Sequence, residues 1–505
     1  MYWIHKCIVN CVSTSLYALG RWAYRHHRRV LAAWLAVLVL SGAAAIGLGA
    51  GTKNSFVIPG TESQNAIDSL GRTFPELSGA SAYLVVVAPN GRTIDDQQSK
   101  RLIARAITGM QKVEGVTDAV SPYSDVTTIG ISKDRTAAQV QLQFDRALTD
   151  VTAKDRQRLI DTGDALRKAG YTASFGGDVF SNTGPQLSIT EIIGVVVAFI
   201  VLYLMFHSLR AAIIPIVTAV LGVLVTSAVT VAATGFMTIS GTAPLLALMI
   251  GLAVGIDYAL FIVSRHREQL ADGLDPEEAA ARSVATAGSA VVFAGLTVVI
   301  ALLGLAIARI PFLTVMGAVA ALSVVVAVAV ALTALPALLG RAGSRLTPQS
   351  GHRPGGFSRR WVTLTTRFPM IAIAVVVVGL AILTIPSKDL KLALPDNGPA
   401  AAGTTQREAY DLIDKHFGPG FNGPLLVSID IISTTDPVGV VEHIEADLRR
   451  MDGVEAIGLA TPNRTADTGI IQVIPSTDAT DERTTTLVRH IRDRESQWKK
   501  QYGVD

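Results

Sequence analysis

The sequence predicts a multi-pass α-helical membrane protein carrying α/β domains outside the membrane. Three features predict it: seven apolar runs of spanning length, two long polar segments with alternating helix and strand signals, and a repeat that relates the halves. Of 505 residues, 50% are hydrophobic and only 17% are charged, whereas soluble domains carry about 25% charge. The net charge of +3 is small and argues neither for nor against nucleic acid; with the chain read as a membrane protein, no nucleic-acid partner is expected.

A bilayer core of about 30 Å needs about 20 apolar residues. Such runs lie near 30–50, 187–206, 211–234, 243–264, 286–307, 311–339 and 369–387. The first is too long in its apolar core for a signal peptide. Arginines set the orientation. Arg21, Arg25, Arg28 and Arg29 precede run one, Arg265, Arg267 and Arg282 separate runs four and five, and Arg341 to Arg367 separate runs six and seven. The connection "ATGFMTISGTA" between runs three and four has no charge. With alternating runs, the arginine-rich segments share the cytoplasmic side.

The expected organisation is a cytoplasmic leader (1–29), a first span (30–50), a first extracytoplasmic domain (51–185), spans two to six (186–340), a cytoplasmic linker (341–368), a seventh span (369–387) and a second extracytoplasmic domain (388–505). Cys7 and Cys11 read as incidental thiols on a disordered leader, because no ligand set for zinc stands near them. No metal site and no cofactor are expected. The linker's arginines face anionic lipid.

In the first outer segment, Thr61 and Gln64 have capping-box spacing and open a helix near 62–73. "AYLVVVAP" (82–89) is a strand ending at a Pro-Asn-Gly turn. Residues 95–111 place Ile103, Ala106, Ile107 and Met110 on one helical face, and "AQVQLQF" (138–144) alternates with period two. Residues 151–169 read as a helix stopped by Gly170. Strand, helix, strand, strand, helix, strand is the ferredoxin-like order.

The second outer segment repeats the first. "EGV" (114–116) and "DGV" (452–454) fall at similar distances from runs one and seven. "PLLVSIDI" (424–431) matches the first strand, "GIIQVIP" (469–475) matches "AQVQLQF", and "ERTTTLVRHI" (482–491) matches the later helix. Self-similarity in fixed order means duplicated units. The first copy runs on through five spans after Tyr171, so the second copy is expected to be incomplete in this chain.

One span, an outer α/β domain and five clustered spans, then the start of the same again, resembles the resistance–nodulation–division (RND) exporters. More narrowly it resembles their MmpL (mycobacterial membrane protein large) branch. The matching stretches are "GLAVGIDYALFIVSRHRE" (251–268), "ATAGSAVVFAGLTVVIALLGL" (285–305) and "LGRWAYRHHRRVLAAW" (19–34). The resemblance implies an actinobacterial-type inner-membrane exporter of lipids or other amphiphiles, powered by proton influx. It implies porter-type outer domains, and a proton relay of Asp257 and Tyr258 completed by a matching pair on a second half. That half would be separately encoded or supplied by an oligomer partner.

The residues make their own case. An Asp at the centre of a span costs roughly 2.5–3.5 kcal/mol on insertion scales and marks a protein interior or wet cavity. Asp257 stands in such a run. Gly251 and Gly255 are four apart, which suits a close neighbouring helix. At 100° per residue, Asp257 shares a different face with Ala253, Leu260, Phe261 and Ser264. The helix is therefore expected to be packed on both sides. The bland alternative is a structural Asp257, bonded to a neighbouring hydroxyl and never titrating. Glu191 is either an interfacial carboxylate or a cavity group. Ser283, Thr286 and Ser289 either back-bond to their own helix or line a polar path with Ser264. "HREQLADGLDPEEAAARS" (266–283) reads as a solvated inner helix.

No Walker A, G-x-S-x-G or H-E-x-x-H motif occurs, so no enzyme is indicated. Two other functions compete with export: a non-transporting scaffold or remnant, and a SecD-like translocation helper. Residues 369–505 argue against the helper.

Overall fold

The structure is a computed structural model. It describes residues 2–50, 52, 58, 60–74, 80–89, 91–124, 129–146, 151–180, 189–346, 356–389 and 397–504. In chain order the elements begin with α1 (Tyr2–Arg25), α2 (His27–Leu48), α3 (Glu62–Thr73), β1 (Ser81–Val87), α4 (Gln97–Met110), β2 (Val116–Val120), β3 (Ala137–Phe144), α5 (Ala153–Thr162), α6 (Asp164–Lys168) and β4 (Thr172–Gly176). There follow α7 (Ile189–Phe206), α8 (Leu209–Ala233), α9 (Thr242–Ala271), α10 (Pro276–Leu303), α11 (Pro311–Ala342), α12 (Gly356–Arg367) and α13 (Pro369–Thr384). The last are α14 (Thr405–His416), β5 (Leu425–Asp430), α15 (Pro437–Arg449), β6 (Val454–Pro462), β7 (Thr468–Pro475) and α16 (Glu482–Tyr502). The chain divides into a helical unit (Met1–Ile58 with Thr183–Lys388) and an α/β unit (Pro59–Asn182 with Asp389–Asp505).

In the helical unit, six helices among the described residues are long and apolar enough to span a bilayer, and Ile192–Phe206 is a shorter apolar stretch. α8, α9, α10 and α11 pack on one another, and α2 lies on α8 and α11. α13 buries none of its residues.

The leader is not disordered. α1 is a helix that packs along α10 and α11. It buries Leu16 and Ala23. Tyr17 donates to Glu278 at 2.6 Å, and Arg21 and Arg25 both reach Glu277, at 2.7 and 2.8 Å. Apolar and basic positions alternate at helical spacing, so one face buries while the cations find carboxylates. The segment 266–283 is also not a separate solvated helix. It is the end of α9 and the start of α10, joined by a short turn at Gly273, where φ is 87°. The Asp275 side chain accepts from the Glu277 N–H, and Pro276 stands at the first turn of α10, a standard helix start.

In the α/β unit the first sheet has the order β2-β3-β1-β4, all antiparallel. With α4 and α5–α6 between its strands, this is the ferredoxin-like arrangement. Thr61 caps α3 by accepting from Gln64 N–H at 3.3 Å. Ile103, Ala106 and Met110 of α4 are buried against Leu84, Val140 and Phe175. Gly170 has a φ of 87°, the left-handed conformation that a C′ position favours.

The second sheet, β5-β7-β6, repeats the first three strands of this order. The sequence comparison overlooked one repeated element. α14 stands before β5 as α3 stands before β1, yet it packs on β1 and β4 of the first sheet. Ala409 and Ile413 join Tyr83, Val85 and Val87 there in one cluster. Phe175 N–H donates to Thr405 Oγ1 at 2.7 Å, and Ser174 Oγ donates to Glu408 at 3.1 Å. In return, Asn463 in the β6–β7 turn donates to the Thr73 carbonyl at the end of α3. The two copies are thus crossed, and the two polar segments build one unit.

Two outcomes test this packing. Ile413→Ala removes a fully buried side chain, which costs about 2–5 kcal/mol, so the melting temperature of the purified chain should fall by several degrees; a shift below about 2 °C contradicts the docking. The second concerns Asp134, in the turn before β3. Hydrogen bonds from Ser132 and then Thr136, each 2.6 Å, hold its carboxyl well below the usual range. The lowered pKa means this contribution is present above the unfolded value near 4 and is lost as pH falls through the folded one. Asp134→Asn should therefore flatten the acid limb of the melting curve below about pH 4.

Candidate functional site

The site is built on α9. Its thirty residues run from the uncharged connection after α8 to the turn before α10. One face is made of small residues. A Cβ added at Gly251 would lie 2.2 Å from Ser323 Oγ of α11, and one at Gly255 would lie 2.9 Å from the Ala219 Cβ of α8. Ser323 in turn donates to the Ala247 carbonyl at 2.7 Å. Both predicted glycine contacts are therefore present. Close backbone approach of this kind replaces the hydrophobic drive that helices lack in lipid.

Asp257 lies on another face, with Ala253 and Phe261 exposed and Leu260 and Ser264 half-buried. This corrects the expectation of packing on both sides. α8, α10 and α11 occupy the remainder of the α9 circumference, and no described element covers the Asp257 stripe. Tyr258 is buried instead. Its ring lies beside Gly295 of α10, at a point where Val328 of α11 also closes in. One residue of rotation, about 100°, thus separates an open carboxyl from an enclosed phenol, and the structure does not bring the two together on one face.

The hydroxyls back-bond. Ser264 donates to the Phe261 carbonyl at 3.0 Å, Ser283 to Ala280 at 2.8 Å, Thr286 to Arg282 at 2.7 Å and Ser289 to Thr286 at 2.7 Å. Ser283 is fully buried, Ser289 is half-buried and Thr286 is exposed. Glu191 belongs to α7, and its side chain lies outside the described residues. Among the described residues no group of three or more His, Cys, Asp or Glu is placed to hold a metal ion.

Two features of the charged end of α9 escaped the sequence reading. His266 is fully buried, and neither ring nitrogen has a hydrogen-bond partner among the described residues; Gln269 Oε1, one turn on, is in the same position. Arg267 donates to the Phe206 carbonyl at 2.7 Å and lies over the Phe206 ring, tying α9 to the end of α7. The available signal was spacing: Gly255, Ala259, Ile262, His266 and Leu270 continue the buried stripe of α9 into the run that looked solvated.

A family model described as the MMPL family matches residues 55–372. The chain belongs to the MMPL family. Among its relatives, membrane protein YdfJ of Bacillus subtilis is 36% identical over 95% of this chain and 67% of its own length. Putative membrane protein SCO6666 of Streptomyces coelicolor is 31% identical over 89% of this chain and 63% of its own. The mycolic acid-containing lipids exporter MmpL11 of Mycolicibacterium smegmatis is 25% identical over 91% and 50%. The MMPL chain described here thus spans between half and two thirds of the length of these relatives. It is a helical, multi-span membrane protein with antiparallel sheets in its polar regions.

Packing and chemistry on α9 separate experimentally. Gly255→Val places branched carbons where Ala219 already stands; overpacking costs typically about 1–3 kcal/mol, and the melting temperature should fall by several degrees. Asp257→Asn touches no packed face and should leave it within about 2 °C of the parent. Equal shifts for the two variants would contradict the two-faced description of α9.

Proposed function

We propose that this MMPL chain forms the proton-handling part of an exporter that moves lipids or other amphiphiles outward across the cell membrane, driven by proton influx. The observation that carries the proposal is a carboxyl in the middle of a spanning helix, on a stripe of α9 that no described element covers. Asp257 there costs several kcal/mol against lipid. The cost falls when a polar protein face or water covers the stripe, and the proton occupancy of the carboxyl then biases how that face packs. One charge moved through 100 mV is worth about 2.3 kcal/mol, which is the same scale.

In this reading Tyr258 is a positioning residue, wedged between α10 and α11, that fixes the rotation of α9 and so the aim of Asp257. The covering face, with its own carboxyl, comes from the remainder of the transporter or from an oligomer partner. The arginine-rich ends of α1, α9 and α12 face the cytoplasm, and the α/β unit lies outside. The exporter name carried by the mycobacterial relative supports a lipid-like substrate.

The test is proton entry into pyranine-loaded liposomes carrying the full transporter, after an acid step outside. Asp257→Asn should lower the proton-coupled rate at least tenfold and Asp257→Glu should keep part of it. Unchanged entry with Asp257→Asn would exclude the relay.

A further inference from the structure

Asp257 does not stand alone on its stripe. Phe261, Ser264 and Glu268 follow it at intervals of four, three and four residues, which keeps all four within about 40° of one line on the helix. Below Asp257 this line runs into a cleft of about 600 Å³ between α9 and α10. Its walls are Phe261, Ser264, Arg265 and Glu268 from α9, and Thr286 and Ala287 from α10. Arg265 Nη1 and Glu268 Oε2 lie 2.5 Å apart at its mouth, with both side chains substantially exposed. Two hydroxyls, a guanidinium and a carboxylate make a wall that lipid tails would leave unsolvated. The volume holds on the order of twenty waters at about 30 Å³ each.

Resting on the relay reading above, we propose that this cleft is the inner water vestibule of the relay and that Glu268 is its terminal proton acceptor. A proton leaving the Asp257 carboxyl breaks that O–H bond and passes to water in the cleft. Ser264 and Thr286 give their own protons to backbone carbonyls and keep oxygen lone pairs free to hold that water. The Glu268 carboxylate takes the proton when its contact with Arg265 opens, and then releases it to cytosolic water. Arg265 keeps its charge throughout and returns to the carboxylate, so the pair closes the path between turnovers. Asp257 and Glu268 are eleven residues apart, roughly 16 Å along the helix at 1.5 Å per residue, too far for direct transfer and short enough for a water chain.

The experiment has two arms. In a Cys7→Ser/Cys11→Ser background, Ser264→Cys and Thr286→Cys should react with a membrane-impermeant charged methanethiosulfonate added on the cytoplasmic side. Their rates should exceed that of Phe293→Cys, on the apolar exposed side of α10, at least tenfold. In the liposome assay, Glu268→Gln should lower proton entry at least tenfold with an unchanged melting temperature, and Glu268→Asp should restore part of it. Unreactive cysteines overturn the vestibule. Full proton entry with Glu268→Gln, while Asp257→Asn abolishes it, overturns the role of Glu268. Loss with Glu268→Gln but not with Asp257→Asn instead overturns the relay reading on which the vestibule rests.

Discussion

The close approach of α9 to α8 and α11 is the constraint on which the helical unit depends. A Cβ at Gly255 would lie 2.9 Å from the Ala219 Cβ, and one at Gly251 would displace the Ser323 hydroxyl. That contact locks the rotation of α9 about its own axis. The rotation decides which face is enclosed and which is open. Without it, an isolated apolar helix would turn its carboxyl toward any polar neighbour, and neither Asp257 nor Tyr258 would have a defined position. A packing rule about small residues thereby places a charge.

Much of the fold was legible because its signals are local. The seven apolar runs appear as helices near their expected positions. The capped α3, the α4 stripe and the period-two β3 follow from propensity and spacing, and the ferredoxin-like order follows from the order of those elements. The glycine spacing on α9 was equally readable. What could not be read was which faces find partners. The leader looked disordered because nothing local shows what its cations and tyrosine would meet, yet Arg21 reaches Glu277 and Tyr17 reaches Glu278 across some 250 residues of chain. The run 266–283 looked solvated because periodicity was masked by arginines and carboxylates at the helix ends. The Asp257 face looked enclosed because burial is the cheapest home for a carboxyl in lipid, and a sequence does not reveal which faces of a helix find a cover.

The α1 contacts also bear on the proposed relay. Arg21 and Arg25 grip the first turn of α10, and α10 supplies one wall of the cleft below Asp257. Any tilt of α10 that widens that cleft strains ion pairs that are largely exposed and therefore weak, each worth about 0–1 kcal/mol. Such a brace yields easily, and salt weakens it further. It sets a preferred position for α10 without holding it rigid.

The crossed placement of α14 has a consequence for biosynthesis. The first sheet is complete once β4 has been made, but the helix that covers its second face pairs with it across 230 residues of chain. At 5–20 residues per second, roughly 10–50 s pass before that cover arrives. Val85 gains its cover of Ala409 and Ile413 on that face only after the six apolar helices α7 to α11 and α13 have been made. The order of synthesis thus leaves an apolar sheet face uncovered until α14 closes it.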